Sequence, residues 1–260
     1  MSIIRELSAA AITDAVERLC IEANTQLPAD VKAALDKAEA AEPWPLAKET
    51  LGLLQKNLCT AKEKDLPICQ DTGMACVFVE LGHDVHIDGD LTTAVNEGVR
   101  RGYEKAYLRK SITADPLQRV NTGDNTPAFL TVHLVPGDGC QITVAPKGAG
   151  SENMSRLTML KPADGVQGVK DFVLDTVKQA GANPCPPIVL GIGIGAASTT
   201  APHWPNRRCC ARWMCPTRTR TTPRWKKNCW MPSTLPVLAP RALAVPPPAW
   251  ALPLSKGPPT

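Results

Sequence analysis

The composition of the chain changes abruptly near residue 196, and this change limits what each part can fold into. Residues 1–195 carry 19 Lys and Arg against 25 Asp and Glu, whereas residues 196–260 carry 10 Lys and Arg and no acidic residue. The second part also contains 13 of the 25 prolines, which disfavour helices and sheet ladders because they lack a backbone donor. The sequence therefore predicts a folded domain over residues 1–195 and an irregular tail over residues 196–260.

The tail matches neither a disordered arm nor a globular segment, since it is rich in Trp and Cys but has no Glu. The genetic code offers a test, because Trp and Met each have a single codon. Read from the third base of each codon, residues 226–231 encode Lys or Glu, Lys or Glu, Leu, Leu and Asp, and residues 239–245 can encode Pro-Gln-Gly-Leu-Gly-Gly. We interpret the tail as a shifted reading frame that begins near Ala196. The alternative is a basic arm that binds nucleic acid.

The chain has no run of about 18 apolar residues and no N-terminal secretion signal, which predicts a soluble, cytoplasmic protein without a membrane partner. Six cysteines in residues 1–195 lie far apart and form no CxxC pair, so free thiols, metal ligands or nucleophiles are favoured over disulfides. Four of them fall in helical or strand patterns and are expected to serve packing. These four are Cys20, Cys59, Cys76 and Cys140.

The hydrophobic pattern predicts an α+β fold, with a helical N-terminal stretch followed by a mixed α/β region and an irregular C-terminal tail. Apolar residues recur at spacings of three and four over residues 2–63, which predicts helices throughout. Strand-like runs follow at 74–81, 84–87, 128–135, 140–145 and 188–190, and helical patterns cover 90–109, with Asp90 as N-cap, and 165–181. Residues 136–139 have the composition of a hairpin turn between two of these strands.

A polar loop, Cys69-Gln70-Asp71-Thr72-Gly73, precedes the first long strand. A lone cysteine beside a strand is most often a small buried hydrophobe, but the amide, carboxylate and hydroxyl that follow are poor choices for a packed loop. Gly73 indicates a backbone with positive φ or a close approach. The loop therefore predicts a thiolate that serves as a metal ligand or a nucleophile.

Three further features could carry chemistry. Cys185 lies between prolines that stiffen the backbone, which suits metal ligation, although a plain connector fits equally well. Residues 147–153 expose successive N–H groups at a predicted helix start, where a carboxylate or phosphate would be stabilised, although a simple glycine-rich turn is also consistent. Arg109, at the predicted end of a helix, is either a solvated cation or a bidentate partner for a carboxylate.

Four motifs in one order resemble the iron–sulfur hydro-lyases of the class I fumarase and L-tartrate dehydratase family, over residues 1 to about 195. The motifs are Cys69-Gln70-Asp71-Thr72-Gly73, Asn121-Thr122-Gly123-Asp124-Asn125-Thr126-Pro127, Lys147-Gly148-Ala149-Gly150-Ser151-Glu152-Asn153, and Pro184-Cys185-Pro186-Pro187 with Gly191-Ile192-Gly193-Ile194-Gly195. The family has Gly where this chain has Ala149. The length is similar to that of the alpha subunit in the two-subunit form, so residues 1–195 would be an incomplete alpha-type catalytic domain.

The resemblance implies a [4Fe–4S] cluster, with Cys69 and Cys185 as two of its three cysteine ligands and the third ligand beyond Thr260. It implies that Gln70, Asp71 and Arg109 act in catalysis and line the substrate site. A second group of residues would approach a substrate carboxylate, namely Gly150, Ser151, Glu152 and Asn153. The cysteines of the tail, whose positions follow from the shifted frame, are not expected to replace the third ligand.

The resemblance also implies an activity and partners. The expected reaction is the reversible hydration of fumarate to malate, a step of the tricarboxylic acid cycle, and the alternative within the family is L-tartrate dehydration. The chain as written is expected to be inactive, because it does not encode the third cluster ligand and because the catalytic base of the family lies on a second domain or beta subunit. Expected partners are a dicarboxylate substrate, that beta subunit or C-terminal domain, and a second copy of the chain. Neither a nucleic acid nor a membrane is expected.

Overall fold

The structure is a computed structural model that describes residues 4–185 and 188–194, together with the backbone of residues 251–253. In chain order the elements are β1 (Arg5–Ser8), α1 (Ala9–Thr25), α2 (Ala29–Ala41), α3 (Pro45–Glu63), β2 (Met74–Gly82), β3 (Val85–Asp88), α4 (Leu91–Lys105), β4 (Phe129–Val135), β5 (Cys140–Lys147), α5 (Ala149–Glu152), a 3-10 turn (Pro162–Asp164), α6 (Gly165–Ala180) and β6 (Ala251–Pro253). This order confirms the α+β class. Within the described ranges, no helix combines the length and apolar character needed to cross a bilayer.

The core lies where α1 and α4 cross over the face of a four-stranded sheet. Side-chain caps begin both helices: the Ser8 hydroxyl accepts the Ala11 N–H at 3.2 Å, and the Asp90 carboxylate accepts the Thr93 N–H at 2.6 Å, which confirms Asp90 as the N-cap. The apolar stripes of the helices pack on alternate side chains of β2 and β5. The members with 0% exposure are Ile12, Val16, Cys20, Val77, Val79, Val95, Val99 and Ile142.

The four-stranded sheet has the order β4-β2-β5-β6, so the predicted hairpin between β4 and β5 is wrong. β2 lies between them, parallel to β4 and antiparallel to β5. Strand β2 is buried on both faces from Ala75 to Val79 and needs a neighbour on each side, whereas β4 is partly exposed and suits an edge. The connection that resembled a hairpin turn crosses the end of β2, where the Gly82 N–H donates to the Gly139 carbonyl at 2.7 Å.

Two boundaries of the predicted helices are wrong. Residues 2–63 are not all helical, because β1 is extended before the α1 cap and pairs in parallel with β3. The helix predicted over residues 90–109 ends at Lys105. Tyr107 adopts a left-handed backbone with φ 53°, and the Leu108 N–H closes the helix by donating to the Tyr103 carbonyl at 2.9 Å. Arg109 therefore lies in the loop that follows the helix.

Three other expectations differ from the structure or fall outside it. Residues 188–190 are not a strand, since no ladder partner lies beside them in the described ranges. Cys59 is exposed on α3 rather than packed, because it lines an open groove between α2 and α3 whose other side carries the charged side chains of Lys32, Asp36 and Glu39. Of the tail predicted to be irregular, only residues 251–253 are described, and they form β6 against β5. The rest of residues 196–260, with Gly195, Pro186 and Pro187, lies outside the described residues.

Candidate active site

The Cys69 loop connects α3 to β2 and exposes its thiol. The Asp71 N–H points at the Cys69 sulfur at 3.4 Å, and the Asp71 carboxylate accepts the Gly73 N–H at 3.1 Å. The start of the loop is anchored to two helices, because the Ile68 N–H donates to the Asn24 carbonyl and the Asn57 amide donates to the Ile68 carbonyl. The thiol is therefore accessible on a loop with a defined backbone.

Two glycines allow the Cys69 loop to touch the turn that follows β5. Gly73 has φ +67°, as the sequence predicted, and a Cβ there would lie 2.6 Å from the Lys147 carbonyl carbon. A Cβ on Gly148 would lie 2.8 Å from Asp71 Oδ2. Gly73 and Lys147 are 74 residues apart in the chain. The backbones of the Asp-Thr-Gly and Lys-Gly motifs therefore touch each other.

The loop is also hydrogen-bonded to the segment that carries Arg109. The Thr72 hydroxyl, on a side chain that is 2% exposed, donates to the Arg109 carbonyl at 2.9 Å. The Arg109 side chain itself is exposed. The structure therefore brings the backbone of Arg109 next to the Cys69 loop and leaves its guanidinium accessible to an anion.

Asn125 is a site residue that the sequence analysis did not single out. It is fully buried with φ 65°, and its Oδ1 accepts the N–H groups of Ser111 at 2.6 Å and Ile112 at 3.3 Å. Its Nδ2 donates to the Gly73 carbonyl at 3.3 Å. The signal in the sequence is an Asn, which tolerates a left-handed backbone, inside the polar turn of residues 121–127.

The turn after β5 has a shorter helix than the sequence suggested. Helix α5 has four residues, so its macrodipole is small, and the N–H groups of Glu152 and Asn153 donate to carbonyls of the turn itself. Lys147 Nζ donates to Ser151 Oγ at 2.9 Å and lies 3.1 Å from Glu152 Oε2. That oxygen is shielded from solvent without a hydrogen bond of good geometry, so the ion pair with Lys147 balances its charge.

Cys185 lies on a constrained segment that contacts the same turn. A Cβ on Gly150 would lie 2.8 Å from the Asn183 carbonyl oxygen. Cys185 is exposed and adopts φ 54°, and its N–H donates to the Ala182 carbonyl at 3.1 Å. A left-handed backbone costs a non-glycine residue roughly 1–2 kcal/mol, and such residues concentrate at functional sites.

The predicted site residues thus lie on one chain of contacts. The Cys69 loop touches Gly148, and Gly150 touches the segment before Cys185. The exposed members are Cys69, Gln70, Arg109, Asn153 and Cys185, and the half-buried ones are Asp71, Gly150, Ser151 and Glu152.

The cysteines differ in their suitability as metal ligands. Burial raises the pKa of Cys20 to about 12 and, with a smaller contribution from Glu152, that of Cys76 to about 11, so both remain protonated and unsuited to metals. Cys69 and Cys185 are accessible, and two thiolates are the soft donors that iron–sulfur clusters require. Within the described ranges, no three His, Cys, Asp or Glu side chains converge to hold a metal ion. In donor type and accessibility, Cys69 and Cys185 suit two ligands of such a cluster.

Comparison with known proteins identifies the family. The family model described as Fumarate hydratase (Fumerase) matches residues 13–221. A putative L(+)-tartrate dehydratase subunit alpha of Methanocaldococcus jannaschii is 41% identical over 198 residues, which cover 73% of this chain and 69% of that protein. The L(+)-tartrate dehydratase subunits alpha of Escherichia coli strains UTI89 and K12 are 31% and 30% identical over 194 residues, which cover 73% of this chain and 64% of each relative. The chain belongs to the fumarate hydratase (Fumerase) family.

Proposed function

We propose that the chain is the alpha-type part of an iron–sulfur hydro-lyase that removes water from a 2-hydroxy dicarboxylate. The observation that carries this proposal is the contact of the Cys69 loop with both the Arg109 segment and the turn at Gly148. A loop with an accessible thiol thereby adjoins the backbone of an exposed Arg and a turn with small residues, which supports the proposal. These are the groups that metal-assisted loss of water from a dicarboxylate needs.

Each of the gathered groups has a role in this proposal. Cys69 and Cys185 hold a [4Fe–4S] cluster, which supplies a Lewis acid for the departing hydroxyl when bound. The Arg109 guanidinium pairs with one substrate carboxylate, a geometry that Arg matches bidentately. Gln70 donates a hydrogen bond to a substrate oxygen, and Asp71, whose Oδ1 is tied to the Gly73 N–H, holds its Oδ2 towards Gly148.

The turn after β5 contacts the second carboxylate through fewer groups than its motif suggests. The N–H groups of Glu152 and Asn153 donate within the turn, so the contact falls to Gly150 and Ser151. The Ser151 hydroxyl already donates to the Gly148 carbonyl and accepts from Lys147. The positive charge of Lys147 in the same turn is already paired with Glu152, so the backbone N–H groups of Gly150 and Ser151 are left to face the carboxylate.

L-tartrate is the substrate that we place first. The relatives that are 30–41% identical to the chain carry the name L(+)-tartrate dehydratase subunit alpha, and these names support tartrate better than fumarate. Fumarate hydration, the first expectation from the sequence, is the second candidate, because the matching family model carries that description. The alpha subunit names also support a partner beta subunit, which would supply the groups that these residues lack.

The test of the function uses a frame-restored chain, reconstituted anaerobically with iron, sulfide and the partner subunit. We expect cluster absorbance and dehydration that oxygen destroys. Cys69→Ser should abolish both, whereas Cys59→Ser, which changes an exposed thiol on α3, should leave both unchanged. A Cys69→Ser protein that keeps the cluster and the rate would remove Cys69 from the site and defeat the proposal.

The same preparation separates the two substrates. We expect kcat/KM for L-tartrate to exceed that for malate by at least about tenfold, the ratio that one well-placed hydrogen bond to the second hydroxyl provides. A larger kcat/KM for malate or fumarate would establish fumarate hydration instead.

A further inference from the structure

One buried side chain joins the Cys69 loop to the segment that carries Arg109. The carboxamide of Asn125 lies between the Gly73 carbonyl on one side and the N–H groups of Ser111 and Ile112 on the other. Asn125 is 0% exposed, so water does not compete for these three hydrogen bonds. A single side chain therefore spans two segments that are separated by the whole of α4 in sequence.

The chemistry of this position is specific to asparagine. Two backbone donors face its oxygen and one backbone acceptor faces its nitrogen, which also fixes the orientation of the amide. An apolar side chain would remove the acceptor of the Ser111 and Ile112 N–H groups and would leave the Gly73 carbonyl with only the Tyr103 hydroxyl, at 3.2 Å. An aspartate would keep the acceptor for Ser111 and Ile112 but would set a carboxylate oxygen against the Gly73 carbonyl.

Two neighbouring hydrogen bonds reinforce the same connection. The Tyr103 hydroxyl, whose pKa is raised by burial, donates to the Thr72 carbonyl at 2.9 Å. The Thr72 hydroxyl in turn donates to the Arg109 carbonyl at 2.9 Å. Tyr103 and Asn125 thus hold the loop through hydrogen bonds to its backbone at Thr72 and Gly73. The Thr72 side chain in turn holds the backbone of Arg109.

We propose that Asn125 is a positioning residue that couples the Cys69 loop to the Arg109 segment. Through this coupling, the thiol and the guanidinium keep a fixed relation to each other at the surface. The mechanical coupling stands on the hydrogen bonds alone. Its consequence for substrate binding rests on the function proposed above.

Hydrogen–deuterium exchange of the full chain tests the coupling with two variants and a control. Asn125→Ala should raise exchange in residues 110–113 by about tenfold or more, because the Ser111 and Ile112 amides lose their acceptor, and should also raise exchange in residues 69–73, because the loop loses the tether at the Gly73 carbonyl. Asn125→Asp should raise exchange only in residues 69–73, because its carboxylate still accepts from Ser111 and Ile112. Asn121→Ala is the control, since the Asn121 side chain is exposed and contacts Lys110 and Gly123 but not the Cys69 loop.

The pattern of protection decides the outcome. The selective effect of Asn125→Asp would support the coupling and could not arise from a general loss of stability. Unchanged exchange in residues 69–73 of Asn125→Asp would overturn it. Equal increases in α1 and α4 in both variants would also overturn it, since they would mean that Asn125 only stabilises the fold.

A kinetic measurement on the reconstituted enzyme separates this inference from the proposed function. Asn125→Asp should raise KM for the dicarboxylate by about tenfold with a smaller change in kcat, because Arg109 and the loop bind both the ground state and the transition state. A raised loop exchange with an unchanged KM would leave the coupling intact and remove the proposed role of Arg109. An unchanged loop exchange would defeat the coupling regardless of the activity.

Discussion

At the residue scale, burial separates the cysteines of residues 1–194 into two classes. Cys20, Cys76 and Cys140 lie in the core, and burial raises the pKa of each. Cys69 and Cys185 lie on loops with accessible sulfur atoms. Cys59 is also exposed, but it lies on α3 outside the contacts that join the Cys69 loop to the turn after β5. Because the thiolate is the form that binds metals and attacks electrophiles, the loop cysteines are the ones that suit the proposed chemistry.

Burial of Cys20 predicts a loss of stability in alkali. The folded protein retains the Cys20 proton until about pH 12, whereas an unfolded chain releases it near the ordinary pKa of 9.0. The unfolded state therefore binds fewer protons between these pH values, and the free energy of unfolding falls as pH rises. Cys20→Ala should reduce this slope by up to about 1.4 kcal/mol per pH unit, as measured by urea unfolding across this range. An identical slope in the variant would contradict the raised pKa.

At the element scale, glycines on α4 set the distance between α1 and α4. A Cβ on Gly98 would lie 2.7 Å from both the Thr13 carbonyl oxygen and the Val16 Cβ, and one on Gly102 would lie 2.9 Å from the Cys20 Cβ. The two helices cover the sheet, and the loop with Arg109 leaves from the end of α4. The close packing of α1 and α4 therefore also positions the loop that carries Arg109.

The close approach predicts that Gly98→Ala destabilises the fold, even though alanine is the better helix former. Overpacking a core contact costs about 1–3 kcal/mol, which exceeds the gain of about 1 kcal/mol from helix propensity. Gly52→Ala on α3 is the matched control, since its Cβ would meet only the Glu39 carboxylate at 3.2 Å, at the end of a flexible side chain. Thermal unfolding of both variants should show a lower Tm for Gly98→Ala alone. Equal stability of the two variants would contradict the close packing.

At the scale of the whole molecule, the domain boundary near residue 196 stays a prediction. The chain spans 64–69% of the length of the relatives described above, and the family match runs past the predicted boundary to residue 221. Resequencing the gene across Ala196 should restore a frame that encodes the string Lys or Glu, Lys or Glu, Leu, Leu, Asp in place of residues 226–231. An unchanged gene sequence would contradict the interpretation of a shifted reading frame.

The basic tail offers a second prediction for the whole chain. If residues 196–260 are out of frame, the protein should bind nucleic acid only weakly and without sequence preference. A steep fall in affinity with salt, which vanishes when residues 196–260 are deleted, would instead support a nucleic-acid-binding arm. Limited proteolysis should cleave within the tail before it cleaves residues 4–185. A tail that resists protease as well as the core would argue for a native fold there.

The amino-acid sequence by itself determined the features that depend on near neighbours in the chain. The helical periodicity, the Asp90 cap, the β2 strand and the positive φ of Gly73 were all predictable, because each follows from residues within one or two turns. Only the tertiary structure decided that β2 separates β4 from β5, that α4 ends before Arg109, and that Asn125 ties that loop to Cys69. These features depend on burial and on partners tens of residues away, which local patterns of polarity do not encode.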